Sequence, residues 1–199
     1  MTKLYLIRHG ETDDNINKRL CGWSDPHLNA RGRSEAEKLA KSLKNQHFDV
    51  VYHSGLKRTI ETAEAIVNGR NYTAKALESL RELHFGQFEG ISMEEVKEKH
   101  PQKFYELQSD YIEFCFPEGE SLKEMHSRVV TGVEELLRVH EGQEILIVAH
   151  SGVIRSIIAH LITGDIKKHW SFKIDHCSVS IIESTPDFNI LVKLNEIKY

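Results

Sequence analysis

Cysteine is scarce in this chain, and its placement excludes two kinds of small fold. Only three cysteines occur among 199 residues, Cys21, Cys115 and Cys177, and no two of them form a CxxC pair. An odd number of widely spaced cysteines argues against a disulfide framework and against a zinc knuckle. We therefore expect a reducing compartment, and we predict that the protein is cytoplasmic.

Long hydrophobic runs and an excess of positive charge are also missing. No apolar stretch approaches the roughly 18 residues that a transmembrane helix needs. The formal net charge is -4, so the overall charge attracts the chain neither to nucleic acid nor to acidic membranes. Met1 to Lys3 lead directly into a predicted strand, and we expect no signal peptide. An anionic ligand would have to be attracted by a local cluster.

Histidine is plentiful, but its spacing is not that of metal ligands. The twelve histidines include no HExxH pair and no other close ligand pattern. We therefore predict no metal site and no cofactor.

Two strongly apolar stretches end in the same kind of polar sequence. Residues 4–7 run into Arg8-His9-Gly10, and residues 145–149 run into His150-Ser151-Gly152. An apolar run bounded by glycine is typical of a buried strand, and α/β folds bind ligands at the carboxyl ends of strands. We predict that the two strand ends lie side by side and form one anion site, with His9 as the nucleophile.

The rest of the pattern alternates strands with amphipathic helices. Further strands are predicted at Phe48–Tyr52, Ala74–Leu77, Ser178–Glu183 and Asn189–Leu194. Helices are predicted at Glu11–Asn17, Ala30–Asn45, Leu56–Val67, Ser121–His140, Val153–Ile162 and Ile166–Trp170, with two more inside residues 91–116.

This alternation predicts the fold class. We expect a three-layer α/β/α architecture with a mostly parallel central sheet and one antiparallel edge strand in the C-terminal region. Residues 1–199 are predicted to form one domain, in which residues 91–116 are a helical insertion over one end of the sheet.

Arg58 adds a second guanidinium to the predicted site. It lies in the first turn of the predicted helix 56–67, where the helix N-terminus favours anions and an arginine adds a bidentate donor. The alternative is an exposed arginine that pairs with Glu61 or Glu64.

Glu82 is the predicted general acid. It lies beside Leu83, Phe85 and Phe88, and apolar surroundings disfavour the charged form of a carboxyl, which suits proton donation near neutral pH. Glu89 is an alternative for the same role.

Two arginines and two histidines at strand ends would enclose one dianionic tetrahedral group. Arginine forks match the geometry of phosphate. A neutral imidazole can attack phosphorus and form a covalent intermediate, if its other nitrogen is held as a donor, as to a backbone carbonyl. The remaining donors stabilise charge on the equatorial oxygens, and the arrangement requires no metal.

The motifs that carry these residues resemble those of the histidine phosphatase (phosphoglycerate mutase-like) superfamily. Arg8-His9-Gly10-Glu11-Thr12 is similar to its RHGE[ST] signature. The match continues in family order through Asn15, Asp25-Pro26-x-Leu28, Gly32, Ser54-x-Leu56-x-Arg58-x-x-x-Thr62-Ala63, Arg81-Glu82-x-x-Phe85-Gly86-x-x-Glu89-Gly90, Pro117-x-Gly119-Glu120-Ser121 and Ala149-His150-Ser151-Gly152.

The resemblance implies a metal-independent phosphomonoester hydrolase that acts through a phosphohistidine. It implies that His9 is phosphorylated, that Glu82 protonates the leaving oxygen, and that the phosphoryl group is held by Arg8, Arg58 and His150. The further substrate-binding positions are Asn15, Gly22, Trp23, Ser151 and Gly152. For Trp23, contact with the leaving group and simple packing are equal alternatives.

Within the family the alternative to a phosphatase is a phosphoglycerate mutase. Mutases carry a longer segment after the Glu89-Gly90 pair, with basic residues for a second phosphate. Residues 91–116 are short and acidic here, which favours simple hydrolysis. The size of the chain and its residues 117–121 are similar to members that hydrolyse α-ribazole 5′-phosphate in cobalamin biosynthesis, and also to small broad-specificity members.

Two alternatives lie outside enzymes of this type. A serine hydrolase is disfavoured because Ala149 and Val153 occupy the glycine positions of GxSxG. A non-catalytic phosphate-binding module would lack the nucleophile or the acid, and both are present. We expect a small phosphomonoester as the partner, no nucleic acid or membrane, and a monomer or homodimer.

Overall fold

A computed structural model describes residues 1–197, and in that range six strands form one mixed sheet. The strands are β1 (Thr2–Arg8), β2 (Val50–His53), β3 (Ala74–Ala76), β4 (Glu144–Ala149), β5 (Val179–Ser184) and β6 (Asn189–Glu196). Their order across the sheet is β3-β2-β4-β1-β5-β6. The first four strands are parallel to one another, whereas β5 is antiparallel to β1 and β6 is antiparallel to β5.

The predicted antiparallel edge is therefore a hairpin of two strands. Its antiparallel strand, β5, is the inner one, and β6 forms the outer edge. The turn between them is closed by a hydrogen bond from the Thr185 N–H to the Phe188 carbonyl (3.0 Å), and so short a connection can join only antiparallel neighbours. Residues 198 and 199 of the predicted domain lie outside the described residues.

Seven α-helices occur in the described part of the chain. They are α1 (Asp13–Ile16), α2 (Ala30–Ser42), α3 (Lys57–Val67), α4 (Met93–Lys99), α5 (Pro101–Ser109), α6 (Leu122–Val139) and α7 (Ser151–Ile158). In addition, 3-10 helices span Glu78–Leu80, Gly86–Phe88 and Ile166–Ser171, and a π-helical turn, Ala159–Thr163, extends α7.

The start of α7 differs from the sequence prediction in a way that affects the site. The prediction began the helix at Val153, but His150 adopts the extended backbone of an N-cap and the helix begins at Ser151. Ser151 and Gly152 therefore form the first helical turn directly after β4, where free backbone N–H groups point outward.

The strands bury alternate residues on the two faces of the sheet. Leu4 and Leu6 pack with α6 and α7, whereas Tyr5 and Ile7 pack with α2 and α3. Successive side chains of a strand point to opposite faces, so each face carries its own apolar core. The three-layer α/β/α architecture with a mostly parallel sheet is confirmed.

Residues 91–116 add α4 and α5 and help to form a third, smaller apolar cluster. Phe88, Val96, Phe114 and Phe116 are its buried members. Ser92 is the N-cap of α4 and forms a capping box with Glu95. None of the helices within residues 1–197 combines the length and apolarity that crossing a membrane requires.

Candidate active site

The carboxyl ends of β1 and β4 bring the two strand-end histidines together. Arg8 pairs with Ala149 in the parallel register, and the His9 N–H donates to the Ala149 carbonyl at 3.0 Å. The rings of His9 and His150 lie 5.1 Å apart between centroids, and both side chains are buried. The predicted juxtaposition of the two strand ends is therefore confirmed.

The hydrogen bonding of His9 leaves one ring nitrogen with a free lone pair. Its Nδ1 lies 2.7 Å from the Gly10 carbonyl oxygen. Because a carbonyl can only accept, we assign the proton to Nδ1 and the lone pair to Nε2. Burial, and then the positive charges of Arg58 and Arg8, hold the pKa of His9 well below its ordinary value. A neutral imidazole with Nε2 available is the form that can attack phosphorus.

The proton on His150 can be assigned from a chain of hydroxyl groups. Thr59 donates its hydroxyl proton to the Leu56 carbonyl (2.8 Å), so its oxygen accepts from the Ser54 hydroxyl at 2.9 Å. Ser54 then accepts from Nε2 of His150 at 2.8 Å. Nδ1 of His150 is buried without a protein partner, and burial, then Arg58 and His9, keep the pKa of His150 well below its ordinary value.

Arg58 is fully buried and ties one loop to the site. Its guanidinium donates to the carbonyls of Ser24 (2.7 Å) and Gly22 (2.6 Å), with a longer bond to Cys21 (3.3 Å). None of these partners is negatively charged, and its Nε has no partner among the described residues. A buried guanidinium without a counter-ion is costly, so this position favours an anion.

Arg8 follows the same pattern at the end of β1. One of its terminal nitrogens donates to the Ile174 carbonyl at 2.8 Å, while its Nε is buried and unpaired. Burial lowers the pKa of Arg8, and the negative charge of Glu82 opposes this shift. The predicted acid is thus electrostatically coupled to the predicted phosphate cluster.

Glu82 is held against the first turn of α7. Its Oε2 accepts from the Gly152 N–H at 3.0 Å and its Oε1 from the Leu83 N–H at 3.0 Å. A Cβ built on Gly152 would lie 2.3 Å from Oε1 of Glu82, which explains why glycine follows Ser151 here. The carboxyl group has a defined position beside the strand ends.

Glu89, the alternative acid, is fully occupied by backbone donors. Its carboxylate accepts the N–H groups of Gly22 (3.0 Å), Trp23 (2.8 Å), Ser24 (3.2 Å) and Phe85 (3.1 Å). The side chain shapes the loop whose carbonyls bind Arg58. This geometry favours Glu82 over Glu89 as a proton donor.

Trp23 packs beside the site. Its Nε1 donates to the Glu82 carbonyl at 3.0 Å, its ring stacks on His84 (centroids 4.6 Å apart), and the Arg81 guanidinium carbon lies 4.9 Å from the ring centroid. The structure thus shows the packing alternative, while contact with a leaving group stays a prediction.

Asn15 is linked to a histidine that the sequence reasoning missed. Its Oδ1 accepts from the Thr12 N–H (3.0 Å) and lies 3.1 Å from Nε2 of His176. The His176 ring centroid is 5.9 Å from that of His9. His176 lies just before β5. Only an indirect indication of its position was available from the sequence: a strand that is antiparallel to β1 begins near the point where β1 ends.

An apolar cavity of about 570 Å³ opens beside Glu82, Ser151 and Gly152. Its walls come largely from residues 83–125 and from the segment after α7, and they include Phe85, Met93, Phe104, Leu107, Tyr111 and Trp170. Arg155 is the one arginine or lysine among its lining residues. Within residues 1–197, no three His, Cys, Asp or Glu side chains are grouped as a metal would require.

Known proteins are similar in sequence to this chain over nearly its full length. A phosphoserine phosphatase 1 from Hydrogenobacter thermophilus is 36% identical over 195 residues, which are 98% of this chain and 92% of that protein. An adenosylcobalamin/alpha-ribazole phosphatase from Escherichia coli is 30% identical over 193 residues, 97% of this chain and 95% of that protein.

Solved structures agree with the sequence comparison. The alpha-ribazole phosphatase from Shigella flexneri superimposes with a TM-score of 0.93 at 30% identity and covers 98% of this chain and 96% of its own. Residues 4–197 match the histidine phosphatase superfamily (branch 1). The chain therefore belongs to this superfamily.

Proposed function

We propose that the protein is a metal-independent phosphatase that hydrolyses small phosphomonoesters through a phosphohistidine on His9. One observation carries the proposal. Nε of Arg8, Nε of Arg58 and Nδ1 of His150 are all buried without partners. The charges of Arg8 and Arg58 lower the pKa of His9 and of His150 alike. Buried polar atoms are rarely left unpaired, and a phosphoryl dianion supplies several acceptor oxygens at once.

In the first step, the Nε2 lone pair of His9 attacks phosphorus. The P–N bond forms as the bond between phosphorus and the ester oxygen breaks, and the protonated carboxyl of Glu82 gives its proton to that oxygen. Arg8 and Arg58 stabilise charge on the equatorial oxygens. A phosphomonoester that arrives as its monoanion gives its proton to Nδ1 of His150 as it binds, so His150 becomes a donor to the resulting dianion. The departing phosphate takes the same proton back.

In the second step, water attacks the phosphohistidine. The Glu82 carboxylate accepts a proton from the water, the P–N bond breaks, and inorganic phosphate leaves with His9 neutral again. Glu82 is then protonated for the next cycle, so atoms and charge balance over the two steps.

For the substrate, we propose a phosphomonoester with a large apolar leaving group, such as α-ribazole 5′-phosphate. The support comes from the cavity beside Glu82, whose aromatic and aliphatic walls suit the aromatic base of that molecule. The leaving group of phosphoserine carries two charges, and few charged side chains line this cavity to meet them. The relatives named above act on both classes, so the comparison alone does not choose between them.

A phosphoglycerate mutase is the weaker candidate. It needs basic groups for a second phosphate, and residues 91–116 contain three lysines. Lys99 pairs with Glu95 (2.9 Å) and Lys103 pairs with Glu106 (2.8 Å). The third, Lys97, lies 5.9 Å from the centroid of the Phe104 ring. Both pairs lie within residues 91–116, the segment in which mutases of the family carry that second site.

The test is a comparison of substrates together with a search for the intermediate. With a chelator present, we expect kcat/KM for α-ribazole 5′-phosphate to exceed the values for phosphoserine and 3-phosphoglycerate. Rapid quenching should trap an acid-labile, base-stable phosphoenzyme that is absent from His9→Ala. The control is His27→Ala, which removes an exposed histidine. Turnover by His9→Ala close to the unsubstituted rate would contradict the proposal.

A further inference from the structure

The Gly119-Glu120 motif is not used by the chemistry described above. Glu120 forms a two-point ion pair with Arg128 of α6: Nη2 donates to Oε1 at 2.5 Å and Nε donates to Oε2 at 2.9 Å. The side chains of Arg128 and Glu120 are only 23% and 15% exposed. A bidentate arginine–carboxylate pair has a fixed relative orientation, so the pair can act as a rigid unit.

This ion pair also forms hydrogen bonds to the backbone of the short segment that carries Glu82. Nη1 of Arg128 donates to the carbonyls of Ser79 (2.9 Å) and Arg81 (2.8 Å), and Nη2 donates to the Glu82 carbonyl at 2.9 Å. Oε1 of Glu120 accepts from the His84 N–H at 2.9 Å. Every one of these contacts goes to the backbone of residues 79–84.

The backbone of the motif approaches the same segment closely. The Glu120 N–H donates to the His84 carbonyl at 3.0 Å, and a Cβ on Gly119 would lie 2.2 Å from that oxygen. Glycine is therefore required for the contact. The motif and Arg128 together hold the backbone of the segment, whereas the Gly152 N–H of α7 holds the Glu82 carboxyl group.

The segment has no regular secondary structure of its own to hold it in place. Residues 81–85 lie between two 3-10 helices and belong to no strand or α-helix. Their polar groups therefore depend on partners outside the segment. The Glu82 carbonyl accepts from both Arg128 and Trp23, and its carboxyl group meets Gly152.

We propose that Arg128 and Glu120 are positioning residues for the proton donor. They act on Glu82 through its backbone and touch neither the phosphate cluster nor the nucleophile. This inference rests on the proposed function, in which Glu82 protonates the leaving oxygen. It assigns to the Gly119-Glu120 motif a role in leaving-group protonation that is separate from binding of the phosphoryl group.

Leaving-group dependence separates this role from ordinary structural support. An alkyl ester such as phenethyl phosphate needs a proton on its departing oxygen, whereas p-nitrophenolate leaves without one. A displaced acid therefore slows only the first ester, but a damaged fold slows both. The quantity to compare is kcat/KM, because it covers formation of the phosphoenzyme and not its later hydrolysis.

The experiment uses Arg128→Lys and the milder Glu120→Gln. A positioned acid contributes about 100- to 10,000-fold, and we expect partial displacement to lower kcat/KM for phenethyl phosphate by about 10- to 100-fold. The loss with p-nitrophenyl phosphate should stay below about threefold. The matched control is Arg138→Lys, because Arg138 forms an exposed pair with Glu135 on the same helix and should change neither value.

A double variant connects the effect to Glu82. Once Glu82→Gln has removed the acid, adding Arg128→Lys should cause no further loss on phenethyl phosphate, since residues acting through one group are not additive. Equal losses on both esters would overturn the inference. Should Arg128→Lys fail to fold by thermal melting, Glu120→Gln decides by the same criterion.

The outcomes also separate the two levels of the proposal. If Glu82→Gln slows both esters equally, the assignment of the acid fails and the positioning role fails with it. If Glu82→Gln discriminates between the esters and neither Arg128→Lys nor Glu120→Gln does, the proposed mechanism stands and the positioning role alone is wrong.

Discussion

The proposed phosphate side and the proposed leaving-group side of the site are built by different interactions. On the phosphate side, Arg8 is the last residue of β1, and His9 and His150 directly follow β1 and β4, whose register is set by the backbone ladder between them. On the leaving-group side, Glu82 and Trp23 lie in loops and are held by side chains that bind backbone groups, chiefly those of Arg128 and Glu89. We infer that the phosphate side performs the same chemistry on any phosphomonoester. A few substitutions on the leaving-group side can change which ester is accepted.

The largest expected effect is on the phosphate side. Arg58→Lys removes the planar fork that reaches both the site and the carbonyls of the 21–24 loop. Loss of one such donor costs about 100- to 1,000-fold in rate, and we expect this loss in kcat/KM for p-nitrophenyl and phenethyl phosphate alike. Arg70→Lys is the control, because Arg70 also binds backbone carbonyls but at the Leu43 and Gln46 positions. A loss confined to the alkyl ester would contradict the division of the site into a phosphate side and a leaving-group side.

Gly152→Ala tests the boundary between the two sides. The new methyl group would lie 2.3 Å from Oε1 of Glu82, so the carboxyl must move although the strand ends stay in place. We expect kcat/KM for the alkyl ester to fall by about 10- to 100-fold, with a much smaller loss for p-nitrophenyl phosphate. In a Glu82→Gln background the substitution should add little, and a large additional loss there would show that the phosphate side was disturbed as well.

Phe104→Ala probes the apolar cavity alone. Phe104 lines the cavity from α5, and removal of one apolar wall should raise KM for α-ribazole 5′-phosphate by about 5- to 10-fold. Inhibition by inorganic phosphate should not change, because phosphate occupies only the other side. Tyr105→Ala, at an exposed neighbour on the same helix, is the control. An unchanged KM in Phe104→Ala would remove the cavity from substrate binding.

The smallest expected effect is a pH dependence of stability. Burial, and then the charges of Arg8 and Arg31, lower the pKa of His176 to about 3, whereas an unfolded histidine titrates near its usual value of about 6.5. Below pH 6.5 the unfolded state therefore binds more protons, and stability falls with falling pH. At pH 6 the loss is about 0.8 kcal/mol for this histidine.

Thermal melting between pH 7.5 and pH 6 checks this expectation. His176→Gln should show a shallower decline of Tm than the unsubstituted protein. Identical slopes for His176→Gln and the unsubstituted protein would mean that His176 is not held neutral in the folded state.

How much of the site could be predicted from the sequence depends on how far apart along the chain the interacting residues lie. The β1 and β4 ends could be predicted because each apolar run and its terminal polar residues are contiguous, and parallel strands place their carboxyl ends at one edge. The start of the long helix α6 was equally predictable, since Ser121 and Glu124 form a capping box three residues apart.

Other parts of the site left no local pattern to find. His176 meets Asn15 across 161 positions, and Arg128 meets the Ser79 carbonyl across 49. A bond from a side chain to a distant backbone group imposes no periodicity on either stretch. The same reason explains why Glu82 and Glu89 were rivals in the sequence and are distinct in the fold.

The amino-acid sequence alone determined the succession of strands and helices along the chain and placed Arg8, His9 and His150 at the carboxyl ends of two strands, because these features follow from short-range apolar periodicity and from motifs of adjacent residues. Tertiary structure alone decided which carboxyl group faces α7, which nitrogens stay unpaired, and where an apolar cavity opens. Those outcomes depend on which distant backbone groups meet once the helices pack on the sheet.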